Sequence, residues 1–459
     1  MSLAAPLDDH RPGVPVGPAP VRSATGTLSG WGRVPVVPGE EIRSEDLESI
    51  TRDVPLTRGL GRSYGDAALP APGDLRVAGS VLADRILAFE PATAIITAEA
   101  GLSLDALYQA LLPRGFYTPV TPGTRFVTLG GMVGADVHGK NHHVDGCFGR
   151  HVLALTLRVA DGRVVTCSPS EHAELFYATI GGMGLTGHIL DVTFRLARVA
   201  SPWIYQETER VADIDQFIGS LKAAAAGWPM TMGWIDCLST GRHLGRGVLF
   251  RGRWAEPGEA PKVFPTLHAP IPVPLMFPNG VLGSATVRAF NMAYYRVPRK
   301  PREIVHPKAF FYPLDVAGDW HRLYGPRGFT QYQCVLPESG SSGAARRFLE
   351  VVTKNGGASF LCVIKDCGPE GDGLLSFPKP GISIALDLPM RDDTQSLVDR
   401  LNEQVIGDGG RIYLAKDALT RPEHFAAMEP RLKRFLEVRR RWDPQGRIRS
   451  KQSLRLFGW

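Results

Sequence analysis

The sequence P-G-T-R-F-V-T-L-G-G-M-V-G-A-D-V-H-G-K-N-H-H-V-D-G-C-F-G, residues 122–149, organises the rest of this chain. Its first half is rich in glycine, and its second half brings together His138, Lys140, His142 and His143. Glycine has no side chain, so backbone N–H groups in such a stretch can approach a ligand, most simply the oxygens of a diphosphate. The pattern predicts a phosphate-holding loop followed directly by residues that carry chemistry.

Two further glycine clusters flank this stretch: R-G-L-G-R-S-Y-G-D at 58–66 and G-G-M-G-L-T-G at 181–187. Tight turns between strands would explain any one cluster. Three clusters, two of them with Arg or Lys, favour a large phosphate-bearing cofactor such as a flavin dinucleotide. A short apolar run precedes residue 58, but no amphipathic helix follows the glycines. The pattern therefore lacks the strand, turn and helix of a Rossmann dinucleotide site.

Length and composition limit the class of protein. A chain of 459 residues is too long for one simple core, so two domains are expected. The formal net charge is +6, which fits a solvated basic surface, an anionic ligand or an anionic membrane surface. Nucleic acid is not expected as a partner, because no Lys/Arg blocks alternate with aromatic residues. The six cysteines form no CxxC pair and are predicted to be free thiols in a reducing compartment.

The chain shows neither a signal-peptide pattern nor 18 consecutive apolar residues. A cytoplasmic or membrane-peripheral protein is expected, with the periplasmic side left open. The proline-rich stretch 255–282 is an ordinary surface loop or a flexible apolar lid that contacts a membrane.

Periodicity indicates an α+β chain of short strands, hairpins and helices. We predict a mobile arm over 1–25, a cofactor domain over 26–198, a substrate domain over 199–410 that includes the 255–282 loop, and a C-terminal segment over 411–459. Predicted elements include a helix over Ser103–Leu112 and a hairpin of Val152–Val159 and Arg163–Cys167 with its turn at Asp161-Gly162. Further predictions are strands at Phe310–Leu314 and Ile412–Asp417 and one helix over Pro422–Trp442.

The histidines and lysines have competing explanations. His138, His142 and His143 form an H-x3-H-H pattern that is not a recognised zinc arrangement, so no metal is predicted. Hydrogen bonding or proton handling beside a cofactor is favoured, and a structural role stays open for His142 and His143. Lys365 and Lys416 lie late in predicted strands. Each lysine either belongs to an ion pair on the surface or is a cation that stabilises negative charge on a reduced flavin.

These motifs resemble the FAD-binding half of the vanillyl-alcohol-oxidase-type (PCMH-type) flavoproteins. Within that group they are most similar to the decaprenylphosphoryl-β-D-ribose 2-oxidase family, the flavin half of a 2′-epimerase. The resemblance continues through F-F-Y-P-L-D (310–315), Y-G-P-R-G-F-T-Q-Y-Q (324–333) and Y-L-A-K-D (413–417) and covers most of the chain from Gly30 onward. It implies a two-domain fold whose substrate domain is built on an antiparallel sheet.

The resemblance also implies site residues. Lys416 and His138 would be catalytic, and Lys140, Trp234, Tyr312, Gln333 and Lys365 would bind substrate. FAD would be held by Arg58, Gly59, Leu60, Gly61, Arg62, Ser63, Tyr64, Gly65, Asp66, Gly123, Thr128, Leu129, Gly130, Gly131, Ala135, Asp136, Val137, His138, Ile189 and Tyr413. Tyr64 stands where many relatives link FAD through a histidine, so noncovalent FAD is expected.

The implied reaction is oxidation of the C2 hydroxyl of a polyprenyl-phosphoryl-β-D-ribose to the 2-keto sugar. A separate NADH-dependent short-chain reductase would complete epimerisation to the arabinose donor of cell-wall arabinan. Peripheral contact with a membrane would bring the lipid-linked substrate within reach. Ser383 and Ala385 depart from the asparagine and cysteine of well-known relatives, which leaves the sugar open. The alternatives are an alditol or lactone oxidase that uses O2 and a flavin-binding regulatory protein.

Overall fold

The computed structural model describes residues 20–266, 269–337 and 341–459. In these residues a four-stranded and a five-stranded sheet form the first half of the fold, and an eight-stranded sheet forms the second. The predicted α+β class is confirmed: the four-stranded sheet is mixed, the five-stranded and eight-stranded sheets are antiparallel, and helices connect their strands. Most of the predicted arm, residues 1–19, lies outside the described residues, and residues 22–25 already belong to a strand, contrary to the prediction.

The four-stranded sheet places the first glycine loop. Its strands are β1 (Arg22–Ser29), β2 (Val36–Arg43), β3 (Thr57–Arg58) and β4 (Arg76–Gly79), in the order β1-β2-β4-β3. Helix α1 (Leu47–Ile50) follows β2 and begins at Asp46, whose carboxylate accepts from the amide of Ser49 at 3.0 Å. Since β3 pairs in parallel with β4 and ends at Arg58, the glycines that follow leave the sheet at its edge.

The five-stranded antiparallel sheet carries the second and third glycine clusters on its connections. Its order is β5-β6-β10-β8-β9, with β5 (Ile86–Glu90), β6 (Ile95–Glu99), β8 (Val152–Arg158), β9 (Val164–Cys167) and β10 (His188–Arg195). The predicted hairpin of β8 and β9 is confirmed. The short strand β7 (Phe116–Tyr117) pairs with β11 (Ala197–Arg198). Helices α2 (Leu104–Leu111), α3 (Leu129–Gly134), α4 (His142–Asp145) and α5 (Ala173–Thr179) connect these strands.

The eight-stranded sheet has the order β16-β12-β14-β13-β19-β20-β18-β21. Its strands are β12 (Ile204–Val211), β13 (Met230–Ile235), β14 (Gly247–Trp254), β16 (Arg302–Val305), β18 (Phe329–Pro337), β19 (Cys362–Cys367), β20 (Gly381–Pro389) and β21 (Arg411–Ile412). Helices α6 (Ile214–Ala225), α9 (Ser341–Lys354) and α10 (Thr394–Gly407) pack on one face. Side chains alternate between faces along a strand, so Tyr332 reaches Asn402 of α10 at 2.9 Å while Gln331 and Gln333 point the other way.

The C-terminal segment contacts the first half of the fold. It contains α11 (Pro422–Met428), α12 (Leu432–Trp442) and α13 (Lys451–Phe457). The amide of Lys451 donates to the carbonyl of Leu69 at 2.9 Å, and Arg449 forms an ion pair with Asp74 at 2.7 Å. These contacts bring the chain end beside the first glycine loop.

Three predicted elements are wrong, each for a local reason. Phe310–Leu314 is not a strand, because Pro307 opens α8 (Pro307–Phe311) and Pro313 opens a 3₁₀ turn. The helix predicted over Pro422–Trp442 is two helices, because Pro430 disfavours helical geometry in the residue before it. Ile412–Asp417 is a strand only at Ile412, and Lys416 lies in the turn that follows.

Several elements between β14 and β18 had no sequence prediction, among them a helix and a pair of short strands. Helix α7 (Ser284–Arg296) buries only Val287 and Asn291, so it has no apolar stripe for periodicity to detect. The parallel pair of β15 (Ile271–Pro272) and β17 (Ala317–Gly318) ties the proline-rich stretch to the rest of the fold. Among the described residues, no helix is both long and apolar enough to cross a membrane.

Candidate active site

A cavity of about 1020 Å³ lies between the three glycine clusters and the open face of the eight-stranded sheet. The wall on the sheet side comes from alternate residues of neighbouring strands, among them Trp234, Gln333 and Lys365. Cavities of this size and mixed polarity are where cofactors and small molecules bind. All three sequence clusters therefore face one site.

The loop after β3 fits a diphosphate. Among the described residues, the amide N–H groups of Leu60 to Ser63 donate to no protein acceptor. Gly61 adopts φ +63°, a conformation that other residues rarely take, and a Cβ at Gly59 would lie 2.4 Å from Oγ1 of Thr128. Side chains are thus disfavoured at Gly59 and Gly61, and the free N–H groups of the loop offer donors for phosphate oxygens.

The start of the central stretch uses some of its amides within the protein. Thr128 caps α3 by accepting from the amide of Gly131 at 3.2 Å, and the amides of Leu129 and Gly130 donate to the carbonyls of Leu102 and Ala100. These three amides are therefore already paired within the protein. The segment shapes the cavity wall with its glycines, and the loop after β3 offers free donors.

His138 joins two elements at the floor of the cavity. Its Nδ1 lies 3.1 Å from Nζ of Lys365, and its Nε2 lies 3.1 Å from Nε2 of Gln333. Gln333 also donates to the hydroxyl of Ser383 at 3.1 Å. Burial, with the charges of Lys365, His142 and Lys416, lowers the pKa of His138 well below its ordinary value. A neutral imidazole with both nitrogens engaged positions its neighbours rather than accepting a substrate proton.

Lys416 lies over the ring of Tyr64, with Nζ 4.1 Å from the ring centroid. Burial lowers the pKa of Lys416 to about 7, although the nearby Asp387 carboxylate opposes the shift. Asp387 is fully buried behind the wall and accepts from Gln331 at 2.6 Å and from Tyr324 at 2.8 Å. An amine with this pKa exists in both protonation states near neutral pH, as a general base requires.

Two further lysines share the cavity. Lys140 donates to the carbonyl of Phe311 at 3.0 Å. Burial and the charge of Lys365 lower the pKa of Lys140 to about 7, and burial lowers the pKa of Lys365 to about 8. Desolvation and mutual repulsion thus make these amines less basic than ordinary lysines. An anionic ligand stabilises their protonated forms. The electrostatics therefore favour negatively charged ligands.

The cavity brings together most of the predicted site. The predicted site residues that line the cavity are Lys416, His138, Lys140, Trp234, Gln333, Lys365, Gly59, Leu60, Gly61, Arg62, Ser63, Tyr64, Gly123, Thr128, Gly130, Gly131, Ala135, Val137, Ile189 and Tyr413. Tyr413 also donates to the carbonyl of Ala135 at 2.9 Å, which fixes its ring against the wall. Ala385, one of the two departures from the family pattern, lines the cavity as well.

Tyr312 does not line the cavity, contrary to the prediction. Its side chain is fully buried, and its hydroxyl bonds to those of Tyr117 (2.5 Å) and Thr121. The reason is that Tyr312 ends α8 instead of lying on a strand, so its ring points into the core. Its position supports a structural role.

Five predicted cofactor residues also lie behind the cavity wall. They are Arg58, Gly65, Asp66, Leu129 and Asp136. Arg58 donates to the carbonyls of Ser29 and Ala68 at 2.7 and 3.1 Å, and Leu129 is fully buried in the core.

The other three hold loops together. Asp66 pairs with Arg455 at 2.8 Å, and a Cβ at Gly65 would lie 2.0 Å from the carbonyl of Asp417. Asp136 accepts from the amide of Gly149 at 2.8 Å, and burial raises its pKa to about 6. These residues shape the loops from behind instead of facing a ligand.

Sequence reasoning missed two residues that support the site. Asp387 is the one acid in the apolar run I-S-I-A-L-D-L, and that isolation is a signal for a buried, hydrogen-bonded carboxylate. Arg455 carries no comparable signal in the sequence. Its partner Asp66 lies hundreds of residues away along the chain, and its partner Asp417 lies tens of residues away. Only the fold brings them together.

The chain is similar in sequence to known FAD-binding proteins. Residues 51–168 match the model of an FAD binding domain family. The chain is 35% identical to decaprenylphosphoryl-β-D-ribose oxidase of Mycolicibacterium smegmatis, over 95% of this chain and 98% of that protein. The chain belongs to the decaprenylphosphoryl-β-D-ribose oxidase family. It is an FAD-dependent oxidoreductase, and the regulatory alternative is set aside.

Other relatives are similar over less of the chain or only in fold. L-gulonolactone oxidase of Mus musculus is 35% identical over 24% of this chain and 25% of its own. The solved structure of Physcomitrella patens BBE-like 1 matches with a TM-score of 0.65 at 16% identity, over 91% of both chains. This likeness confirms the predicted PCMH-type fold.

FAD fits the residues that are present. The free amides of the loop at 60–63 would hold its diphosphate, and Tyr64, His138 and Lys416 line the same cavity. Tyr64 is not a histidine, the residue that the family resemblance implies for a covalent flavin link, and this is compatible with noncovalent FAD.

Proposed function

We propose that this enzyme oxidises the C2 hydroxyl of a polyprenyl-phosphoryl-β-D-ribose to the 2-keto sugar. The observation that carries the proposal is the extent of the similarity. The 35% identity with the ribose oxidase runs over 95% of the chain and so includes the strands that carry Gln333, Lys365 and Ala385. The lactone oxidase matches only about a quarter of the chain, which supports a shared cofactor more than a shared substrate.

The cavity lining offers groups for each part of such a substrate. Lys140, Lys365 and Gln333 offer hydrogen-bond donors for sugar hydroxyls, and the two lysines offer cations for a phosphate. The lining also includes apolar side chains, among them Met232, Phe250 and other aromatic and proline side chains. This combination of polar and apolar groups suits a sugar phosphate joined to an isoprenoid chain.

Lys416 is the proposed base. Bound FAD supplies the chemistry of hydride acceptance. The hydroxyl proton goes to the neutral amine of Lys416, which its pKa near 7 makes available at neutral pH. The resulting ammonium ion then places positive charge in the site as negative charge develops. His138 holds Lys365 and Gln333 in position for the sugar.

Anaerobic bleaching of the flavin tests this function. Polyprenyl-phosphoryl ribose should bleach the yellow enzyme, and free alditols and aldonolactones should not. Bleaching by an alditol or lactone alone would replace the proposal with the oxidase alternative. Lys416→Ala should retain FAD and lose turnover, because the base is absent while the diphosphate loop is intact. Normal turnover in this variant would remove Lys416 from the mechanism.

The product implies a second reaction. Reduction of the 2-keto sugar from the opposite face gives the arabinose epimer, the precursor of cell-wall arabinan. We propose that a separate NADH-dependent short-chain reductase performs this step. Incubation of the enzyme and such a reductase with ribose substrate and NADH should yield the arabinose product. Ribose alone as the product would contradict the coupling.

A further inference from the structure

The segment over residues 260–302 has an unusual charge. It contains Lys262, Arg288, Arg296, Arg299, Lys300 and Arg302 but no Asp or Glu. The whole chain has 52 Lys and Arg against 46 Asp and Glu, so the remainder holds 46 of each. The entire formal net charge of +6 therefore resides in this one segment. A uniformly basic surface does not explain the composition.

The same segment exposes much of the apolar surface. Ten of the 19 exposed large apolar side chains of the described residues lie in it: Val263, Phe264, Ile271, Leu275, Met276, Phe277, Val281, Phe290, Met292 and Val297. Ile271 and Leu275 are 75% and 72% exposed. Scattered apolar residues on a surface are common, but this concentration marks an interaction site.

This surface is held beside the cavity. Asn291 of α7 donates to Asp236 at 2.9 Å, and the ring of Tyr294 lies 4.6 Å from that of Trp234 on the eight-stranded sheet. Phe290 and Tyr294 line the cavity on one side of α7, as do Pro270 and Pro272 of the preceding loop. The basic and apolar surface thus adjoins the active-site cavity.

We propose that the surface formed by residues 260–266 and 269–302 docks the enzyme on a bilayer that contains anionic lipids. Apolar side chains enter the interface while Lys and Arg are attracted to the headgroups. A second copy of the chain fits less well, because pairing of this surface with itself would oppose like charges. The location deepens the proposed function by placing the cavity next to lipid, but adsorption itself is measurable without turnover.

Vesicle sedimentation of the full-length holoenzyme tests the proposal. The enzyme should bind phosphatidylcholine vesicles that contain phosphatidylglycerol, bind pure phosphatidylcholine far less, and be released by salt. Arg288→Glu with Lys300→Glu should weaken binding by about 25-fold or more, since each basic residue near the surface contributes about fivefold. Neither residue lines the cavity, and both are exposed. Leu275→Ser should also weaken binding.

Lys433→Glu with Arg440→Glu on α12 is the matched control, because it changes net charge equally at other exposed sites. Its binding should match that of the unchanged enzyme. Equal loss in both double variants, equal binding to neutral vesicles, or no vesicle binding would overturn the proposal. Self-association abolished by Arg288→Glu with Lys300→Glu, without vesicle binding, would overturn it in favour of a second copy. Vesicle binding with no bleaching by lipid-linked ribose would leave the surface standing and refute the proposed function instead.

Discussion

Replacing Arg455 by methionine should loosen two loops of the active site at once. The Arg455 guanidinium donates to both carboxylate oxygens of Asp66 at 2.8 and 2.9 Å and to Asp417 at 2.8 Å. It also donates to the carbonyl of Thr420 at 2.6 Å. Asp66 ends the first glycine loop, and Asp417 follows Lys416. The C-terminal helix therefore clamps the loop that faces the diphosphate to the turn that carries the proposed base.

The expected loss of stability follows from burial. The side chains of Asp66 and Asp417 are 2% and 6% exposed, so the variant leaves two buried carboxylates without their cation. Breaking a buried ion pair costs about 3–5 kcal/mol. Because Arg455 itself is 22% exposed, we expect a loss at the lower end of this range, about 3 kcal/mol in the free energy of unfolding. The Kd for FAD should rise about tenfold or more, as a loss of 1.4 kcal/mol in binding would produce.

Urea unfolding of the apoenzyme measures the first effect, and FAD titration followed by flavin fluorescence measures the second. Arg449→Met is the control, since Arg449 also makes a two-bond pair, with Asp74 at 2.7 and 2.8 Å, but is 43% exposed. The Arg449→Met variant should lose at most about 1 kcal/mol in the free energy of unfolding and should bind FAD as tightly as the unchanged enzyme. Equal losses in the two variants would refute the argument from burial.

Three further predictions follow from the site. Acid precipitation should release FAD into the supernatant, because Tyr64 stands where relatives carry the linking histidine, and a yellow pellet would show a covalent link instead. Turnover should rise with pH through an apparent pKa near 7 as Lys416 loses its proton. Lys365→Met should move this rise to higher pH, because a charge that lowers the pKa of Lys416 is removed, and an unmoved profile would contradict the link. Tyr312→Phe should lower the free energy of unfolding by about 1–3 kcal/mol, since buried hydroxyls lose a partner, while a raised KM for substrate would restore Tyr312 to the site.

Much of the fold could be predicted where the pattern is local. The helix at residues 104–111 was expected from apolar spacing, and Ser103 caps it by accepting from the amide of Ala106 at 3.1 Å. The hairpin of β8 and β9 was visible in its alternation and its Asp161-Gly162 turn. Helix α7 could not be predicted, because most of its residues are exposed and it is held by Asn291 and aromatic contacts with the sheet.

The sequence by itself determined the cofactor class and most of the wall around it. Glycine-rich loops are followed directly by His138 and Lys140. This order of residues is visible in the sequence alone, and it indicates a flavin site. Much of the central stretch from Pro122 to Gly149 lines the cavity.

Only the tertiary structure decided the role of each residue there. It paired the amides of Leu129 and Gly130 with carbonyls of the core, left the amides at 60–63 free as donors, and turned Tyr312 away from the cavity. It also joined Asp66, Asp417 and Arg455 across the length of the chain. The physical reason is that hydrogen bonding, burial and the pKa of Lys416 depend on neighbours in space, and strand pairing and helix packing choose those neighbours.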